Sequence, residues 1–172
     1  RKCCAGGVLE RSLCQLSTPL PDAIIEKEIF GVALIHGDVR SEYRSPSRVA
    51  VTVRRDKFDE FLARDAEKAG SELIAHFQTI RVREESGRVS VDSYEGKALA
   101  AKYLIIAEGA NSRSARQVLG PYPPGGLAMG LAAECDFGRA PGDLIEFYLF
   151  EEGGFKMPFV TPGGMDGWIF PH

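Results

Sequence analysis

Nowhere in this chain are two glycines separated by a single residue, although it holds 19 of them. That excludes a Gly-x-Gly-x-x-Gly dinucleotide fingerprint. CxxC pairs are absent too, and the three histidines, His36, His76 and His172, stand at neither metal-ligand nor triad spacing. No structural zinc or other metal site is therefore expected. His36 and His76 read as structural or surface residues, and His172 simply ends the sequence. The most apolar stretches, 125–133 and 103–107, fall far short of the roughly 20 residues that a bilayer crossing requires. Charge of one sign is not in excess: 21 Lys and Arg against 24 Asp and Glu leave a net −3. With its bases dispersed, the chain lacks the electrostatic footprint of a nucleic-acid binder. It also lacks internal repeats and low-complexity tracts.

What is present is a globular balance, 44% hydrophobic and 26% charged over 172 residues. That suffices for one ordinary domain and is too little for a two-domain cofactor enzyme with complete binding halves. Of the four cysteines, Cys3, Cys4 and Cys14 crowd toward one end while Cys135 stands apart, and adjacent Cys3 and Cys4 are badly placed to bridge each other. They read as reduced thiols of a cytoplasmic protein. The chain opens Arg1-Lys2 with no methionine and no signal peptide, as expected of a piece of something longer.

Extended segments are expected over 28–36, 39–44 and 48–53, punctuated by Gly37-Asp38 and Ser45-Pro46, as a small antiparallel meander. The period then changes: Phe58, Phe61, Leu62, Ala66 and Ala69 recur at helical spacing, with Glu60 and Arg64 on the wet side, Asp56 as a cap and Gly70 as the stop. Further strands are expected over 72–74, 77–83, 88–94 and 98–107, with turns at Glu85-Ser86-Gly87 and Glu95-Gly96. The run 103–107 has the continuous apolar character of a strand covered on both faces. A short helix follows, with Ala115, Val118 and Leu119 facing inward and Gly120-Pro121 ending it. After the corner 121–124, strands are expected over 127–137, 144–151, 155–161 and 167–170. The fold class expected is α+β, with residues 1–120 and 121–172 as its two parts.

Four segments carry chemistry. Lys2-Cys3-Cys4-Ala5-Gly6-Gly7 puts a cation, thiols and paired glycines where a flat or charged ligand can approach the backbone; it also reads as a loop around a free thiol. Arg55 sits at a helix N-terminus, where guanidinium and free N–H groups favour a diphosphate, or else belongs to a solvated turn. Glu108-Gly109-Ala110-Asn111-Ser112 follows a strand and precedes a helix, the place where open α/β sheets hold nucleotides. The segment 163–171 holds the only tryptophan, Trp168, beside Phe170 and downstream of Phe150, Phe155, Met157 and Phe159. That composition suits an apolar ligand or, equally, an ordinary sheet core.

In order and spacing these segments resemble the geranylgeranyl reductase family of FAD-dependent oxidoreductases, within the p-hydroxybenzoate-hydroxylase-like flavoproteins. Lys2-x-Cys4-x-Gly6-Gly7 is similar to the family's loop beside the flavin ring, and Arg55-x-x-Phe58-Asp59-x-x-Leu62 to its cofactor-contacting strand-to-helix segment. Glu108-Gly109 with Arg116 resembles the Asp-Gly motif near the pyrophosphate, and Gly167-Trp168-Ile169-Phe170-Pro171 the end of the substrate-cavity motif. Departures are Glu108 in place of Asp, Ala5 in place of a common glycine, and Met165-Asp166 where a tyrosine is usual.

The resemblance implies an interior piece of a flavoenzyme: part of an α/β FAD domain through residue 120, then an antiparallel-sheet substrate region. Implied for the longer protein are bound FAD, NAD(P)H or ferredoxin as electron donor, and reduction of a carbon–carbon double bond in an isoprenoid or similar apolar substrate of lipid biosynthesis. Placement in the cytoplasm, with peripheral membrane contact open to the longer protein, is expected. Implied roles are catalytic for Cys4, cofactor-binding for Lys2, Gly6, Gly7, Arg55, Glu108 and Gly109, and substrate-binding for Phe159, Trp168 and Phe170. This chain by itself is expected not to hold FAD tightly, since it lacks the helix that receives the pyrophosphate. An aromatic-ring monooxygenase of the same fold and a non-catalytic module for apolar ligands remain as alternatives.

Overall fold

The structure, a computed structural model, describes residues 4–123, 142–149 and 166–169. In chain order its elements are β1 (Gly7–Leu9), α1 (Glu10–Leu13), β2 (Ile25–Ile29), β3 (Gly31–His36), β4 (Val39–Arg44), β5 (Ala50–Val53) and α2 (Arg55–Lys68). They continue as β6 (Thr79–Glu85), β7 (Arg88–Ser93), β8 (Ala98–Ala101), α3 (Arg113–Leu119), β9 (Leu144–Leu149) and β10 (Asp166–Ile169). The chain forms two compact units, Arg1–Ser71 with Ala132–His172, and Glu72–Leu131.

The first unit holds two sheets. One runs β1-β5-β2, all antiparallel, and the other β10-β9-β3-β4, in which β3 and β9 pair in parallel. All four residues of β5 are buried, which suits its place between two neighbours and its Val-Thr-Val run. Ile29, Ala50 and Ile145 meet between the sheets, with Val32, Val49 and Phe147 packed on them. Glu146 is buried on β9 but is not left alone: Arg40 Nη1 donates to it at 2.9 Å and the Tyr148 hydroxyl at 2.9 Å. A buried carboxylate with such donors avoids the cost of an unpaired charge.

The expected meander is corrected. β3 and β4 do form a hairpin, closed by the two residues Gly37-Asp38, but β5 pairs with β1 and β2. The extended run expected over 28–36 is broken at Phe30, whose N–H donates to Asp143 O at 2.9 Å and whose carbonyl accepts from Ser45 N–H at 2.7 Å. That residue carries the chain from one sheet into the other. Helix α2 has the expected position, with two differences. Asp56 does not cap it but lies in the first turn, paired with Arg54 at 2.9 Å. Its apolar stripe is only half covered, Ala66 and Ala69 being exposed. Its end is as expected: Gly70 takes φ +97°, its N–H donates to Glu67 O, and Ser71 N–H to Ala66 O. This is the paired closure of a Schellman motif.

The second unit is an antiparallel sheet in the order β6-β7-β8. Ser86 at φ 53° and Gly87 at φ 75° make its first two-residue turn, left-handed at both positions as strand twist requires. Helix α3 lies along β6, where Gln117 works as a substitute strand: its Nε2 donates to Ile80 O at 2.8 Å and its Oε1 accepts from Val82 N–H at 3.1 Å. Val118 and Leu119 are exposed rather than inward. The strand expected over 98–107 stops at Ala101; residues 103–107 join no ladder among the described residues, and Ile105 is 89% exposed. An apolar run becomes a strand only where partners satisfy its backbone. Residues 72–74 are likewise not a strand. The strands expected over 127–137 and 155–161 lie outside the described residues.

Gly31 is the tightest point of the β3–β4 hairpin, since a Cβ there would sit 2.0 Å from the Tyr43 carbonyl oxygen. Gly31→Ala is expected to cost about 2–3 kcal/mol, read as a lower urea midpoint at unchanged slope.

Candidate functional site

Two of the segments singled out in the sequence meet in the first unit. The antiparallel register of β1 and β5 pairs Gly7 with Thr52. Continued toward the start of the chain, the same register sets Gly6 opposite Val53 and Cys4 opposite Arg55. The backbone follows it, Val53 N–H donating to Gly6 O at 3.0 Å. Gly6 has φ +67°, and a Cβ there would stand 2.0 Å from the Val53 oxygen. Only glycine permits both the conformation and the approach.

At the end of this pairing Arg55 Nη1 donates to Cys4 Sγ at 3.4 Å. The other edge of the guanidinium grips Asp59, Nε to Oδ1 at 2.8 Å and Nη2 to Oδ2 at 3.1 Å. These residues stand one helical turn apart on α2, the spacing at which side chains meet. Cys4 is exposed, and its thiol is held below the usual thiol range by the Gly6 backbone N–H and then by Arg55. Arg55 in turn is raised, first by Asp59 and then by Cys4. The arrangement is an acidified, accessible thiol beside a fixed cation, with the side-chain-free Gly7 exposed three residues further along the same segment. A flat ring can approach such a surface closely, and a thiol of this kind can give up and regain a proton.

The Glu108 turn lies in the second unit. Its carboxylate accepts from Ser112 Oγ at 2.7 Å, Ser114 Oγ at 2.7 Å and Ser114 N–H at 3.2 Å. Ser112 also caps α3, accepting from Ala115 N–H at 2.9 Å, and Arg116 donates to the carbonyls of Ser112 and Asn111. The hydroxyls of Ser112 and then Ser114 hold Glu108 below the usual carboxylate range. An anion belonging to the chain thus already occupies the donors of this turn. A second anionic group, such as a phosphate, does not fit the same donors. Gly109, at φ +80°, makes the bend.

Trp168 lies on β10 opposite Phe147 in the register of β9. Lys2, Phe159 and Phe170 lie outside the described residues. From sequence Asp59 enters only as part of the Arg55 segment, with no role of its own, and Ser114 does not enter at all. The signal for Asp59 was its i,i+4 spacing from Arg55; for Ser114 it was a serine two residues beyond the cap with a carboxylate upstream. Among the described residues no group of three or more His, Cys, Asp or Glu is placed to hold a metal ion, and no helix is long and apolar enough to cross a membrane.

No family model matches the chain. It is similar to several curated proteins, and spans less than half the length of each described next. Protein FixC of Salmonella typhi is 38% identical over 77 residues, 45% of this chain and 18% of that protein. YgcN of Escherichia coli K12, named as a probable electron transfer flavoprotein-quinone oxidoreductase, is 37% identical over 86 residues, 50% of this chain and 20% of that protein. Digeranylgeranylglycerophospholipid reductase 2 of Methanosphaera stadtmanae is 27% identical over 188 aligned positions, 99% of this chain and 44% of that protein. Among solved structures, FqzB matches with a TM-score of 0.51 at 17% identity, over 75% of this chain and 32% of that one. The chain thus shares a fold with FqzB and is related in sequence to one protein named as a reductase and one named as a probable electron transfer flavoprotein-quinone oxidoreductase.

Glu108→Ala removes the acceptor of two buried serine hydroxyls and is expected to destabilise the second unit by about 1–2 kcal/mol, measured by chemical denaturation. Because the folded-state carboxyl titrates below its unfolded value, its contribution is complete above the ordinary glutamate range and fades as pH falls through the folded-state value. The stability difference between wild type and Glu108→Ala should therefore shrink on acidification.

Proposed function

We propose that the longer protein to which this chain corresponds is an FAD-dependent oxidoreductase that reduces carbon–carbon double bonds in isoprenoid or similar apolar substrates. The observation that carries this reading is the pairing of Cys4 with Arg55 at the glycine loop, the two segments that resemble the flavin-side motifs of geranylgeranyl reductases. The match to the Methanosphaera reductase along 99% of the chain supports it.

FAD, when bound, supplies a hydride to one alkene carbon. The chain's own part is to hold the substrate and manage the accompanying proton. Cys4, acidified by Gly6 and Arg55, donates the proton taken up by the second alkene carbon. Arg55 stabilises the thiolate left behind, and solvent returns the proton, since the thiol is exposed. Lys2, Gly6, Gly7 and Arg55 border the cofactor in this reading. The Glu108–Gly109 turn serves through the backbone shape that its serine bonds impose, the carboxylate itself being already engaged. Phe159, Trp168 and Phe170 wall the substrate, whose binding rests on buried apolar area. NAD(P)H or ferredoxin supplies electrons.

A second reading, electron transfer between a flavoprotein and a quinone, is favoured by the 37% identity to YgcN over half of this chain. Anaerobic turnover of the longer protein with a polyprenyl lipid and a reductant, followed by mass spectrometry, separates the two. A product heavier by two hydrogens per double bond supports alkene reduction, whereas quinol formation with unaltered lipid supports the second reading. Cys4→Ser in that protein is expected to keep its flavin absorbance and to lose at least about tenfold in product formation; unchanged turnover removes Cys4 from the mechanism.

A further inference from the structure

We propose that Asp59 is a positioning residue for Cys4: its carboxylate grips one edge of the Arg55 guanidinium and aims the remaining amino group at the thiol. The geometry is that of a fork held on one side. Nε and Nη2 both face Asp59, at 2.8 and 3.1 Å, which fixes the plane of the guanidinium and leaves Nη1 at 3.4 Å from Sγ. An arginine side chain loses much rotamer freedom when it is held in one geometry, and a bidentate partner restricts it in advance. Lysine, a single rotatable ammonium, has no such edge. Asp59 stands on α2, four residues after Arg55, the spacing at which two side chains of one helix meet.

Among the described residues the groups that act on the Cys4 thiol are the Gly6 N–H from its own loop, and Arg55 and Asp59 from α2. The direct effect of the Asp59 charge opposes ionisation of the thiol. Its indirect effect, through Arg55, favours ionisation. The two have opposite sign, so they can be separated: with Arg55 present the indirect effect should win, and without it the part routed through Arg55 is lost while the repulsion stays.

The inference builds on the functional reading for its importance but not for its test, which needs neither flavin nor turnover. The pH dependence of iodoacetamide alkylation is followed in the full chain by tandem mass spectrometry of the peptide that holds Cys3 and Cys4, whose fragment ions assign the label to Cys4 rather than to the adjacent Cys3, apart from Cys14 and the other thiols. Arg55→Met is expected to raise the alkylation midpoint by roughly half a unit or more, an exposed charge pair being partly screened. Asp59→Asn should raise it in the presence of Arg55 and lower it in the Arg55→Met background, while Asp59→Glu, which keeps the carboxylate, should stay near wild type. Circular dichroism of each variant checks that the fold is retained. A midpoint unchanged or lowered by Asp59→Asn alone overturns the proposal, as does an unchanged midpoint in Arg55→Met. If the reversal of sign is found and the longer protein reduces no alkene, the functional reading fails while the role of Asp59 stands.

Discussion

The contact on which the candidate site depends is between two stretches of backbone, Gly6 against Val53. Where a Cβ would come within 2.0 Å of the Val53 oxygen, the missing side chain lets the chain lie flat against the end of β5. Everything chemical follows from continuing that register by two residues on each side. Cys4 arrives opposite Arg55, the first residue of α2, and Asp59 is one turn further along the same helix. A methyl group at residue 6 would separate the thiol from its cation without touching either. The electrostatics of the thiol are thus a consequence of sheet geometry, and the burial of β5 on both faces is what keeps that geometry fixed.

The carboxylates of Asp59 and Glu108 behave differently. Around Cys4 the carboxylate grips the arginine, and the arginine remains turned to a side chain that solvent reaches. Around Glu108 the carboxylate is wrapped by Ser112, Ser114 and a helix N–H, and its charge is consumed in holding a turn. The first arrangement leaves chemistry available at an exposed atom, whereas the second fixes backbone shape. A glutamate, one methylene longer than aspartate, has the reach to fold back over its own helix start in this way, and the serines at 112 and 114 supply the donors.

Local features were legible in the sequence. The helix ending at Gly70, the Ser86-Gly87 turn and the β3–β4 hairpin follow from spacing and turn chemistry that act within a few residues. The two segments that meet at Cys4 and Arg55 were both recognisable, but separately, because their meeting depends on a strand register spanning about fifty residues. The apolar run 103–107 shows the limit from the other side. Its composition is that of a covered strand, yet hydrophobicity specifies a preference for burial and cannot supply the hydrogen-bonding neighbours. Leu119 was misread for a similar reason: helical period identified a stripe, while Gln117, on the polar side, makes the contact with β6.

The parallel pairing of β3 with β9 joins Gly31 to Leu144, across a separation that encloses the whole second unit. Loop-closure entropy must be overcome before such a pairing yields any stabilisation, so it is slow by topology. The β6-β7-β8 meander, built from neighbours, closes quickly by comparison. The inserted unit is therefore expected to form before the mixed sheet is completed. Until β9 pairs, the β3 edge of the β3–β4 hairpin is open as well as the β4 edge, the interval in which a chain of this design is most open to aggregation or to a chaperone.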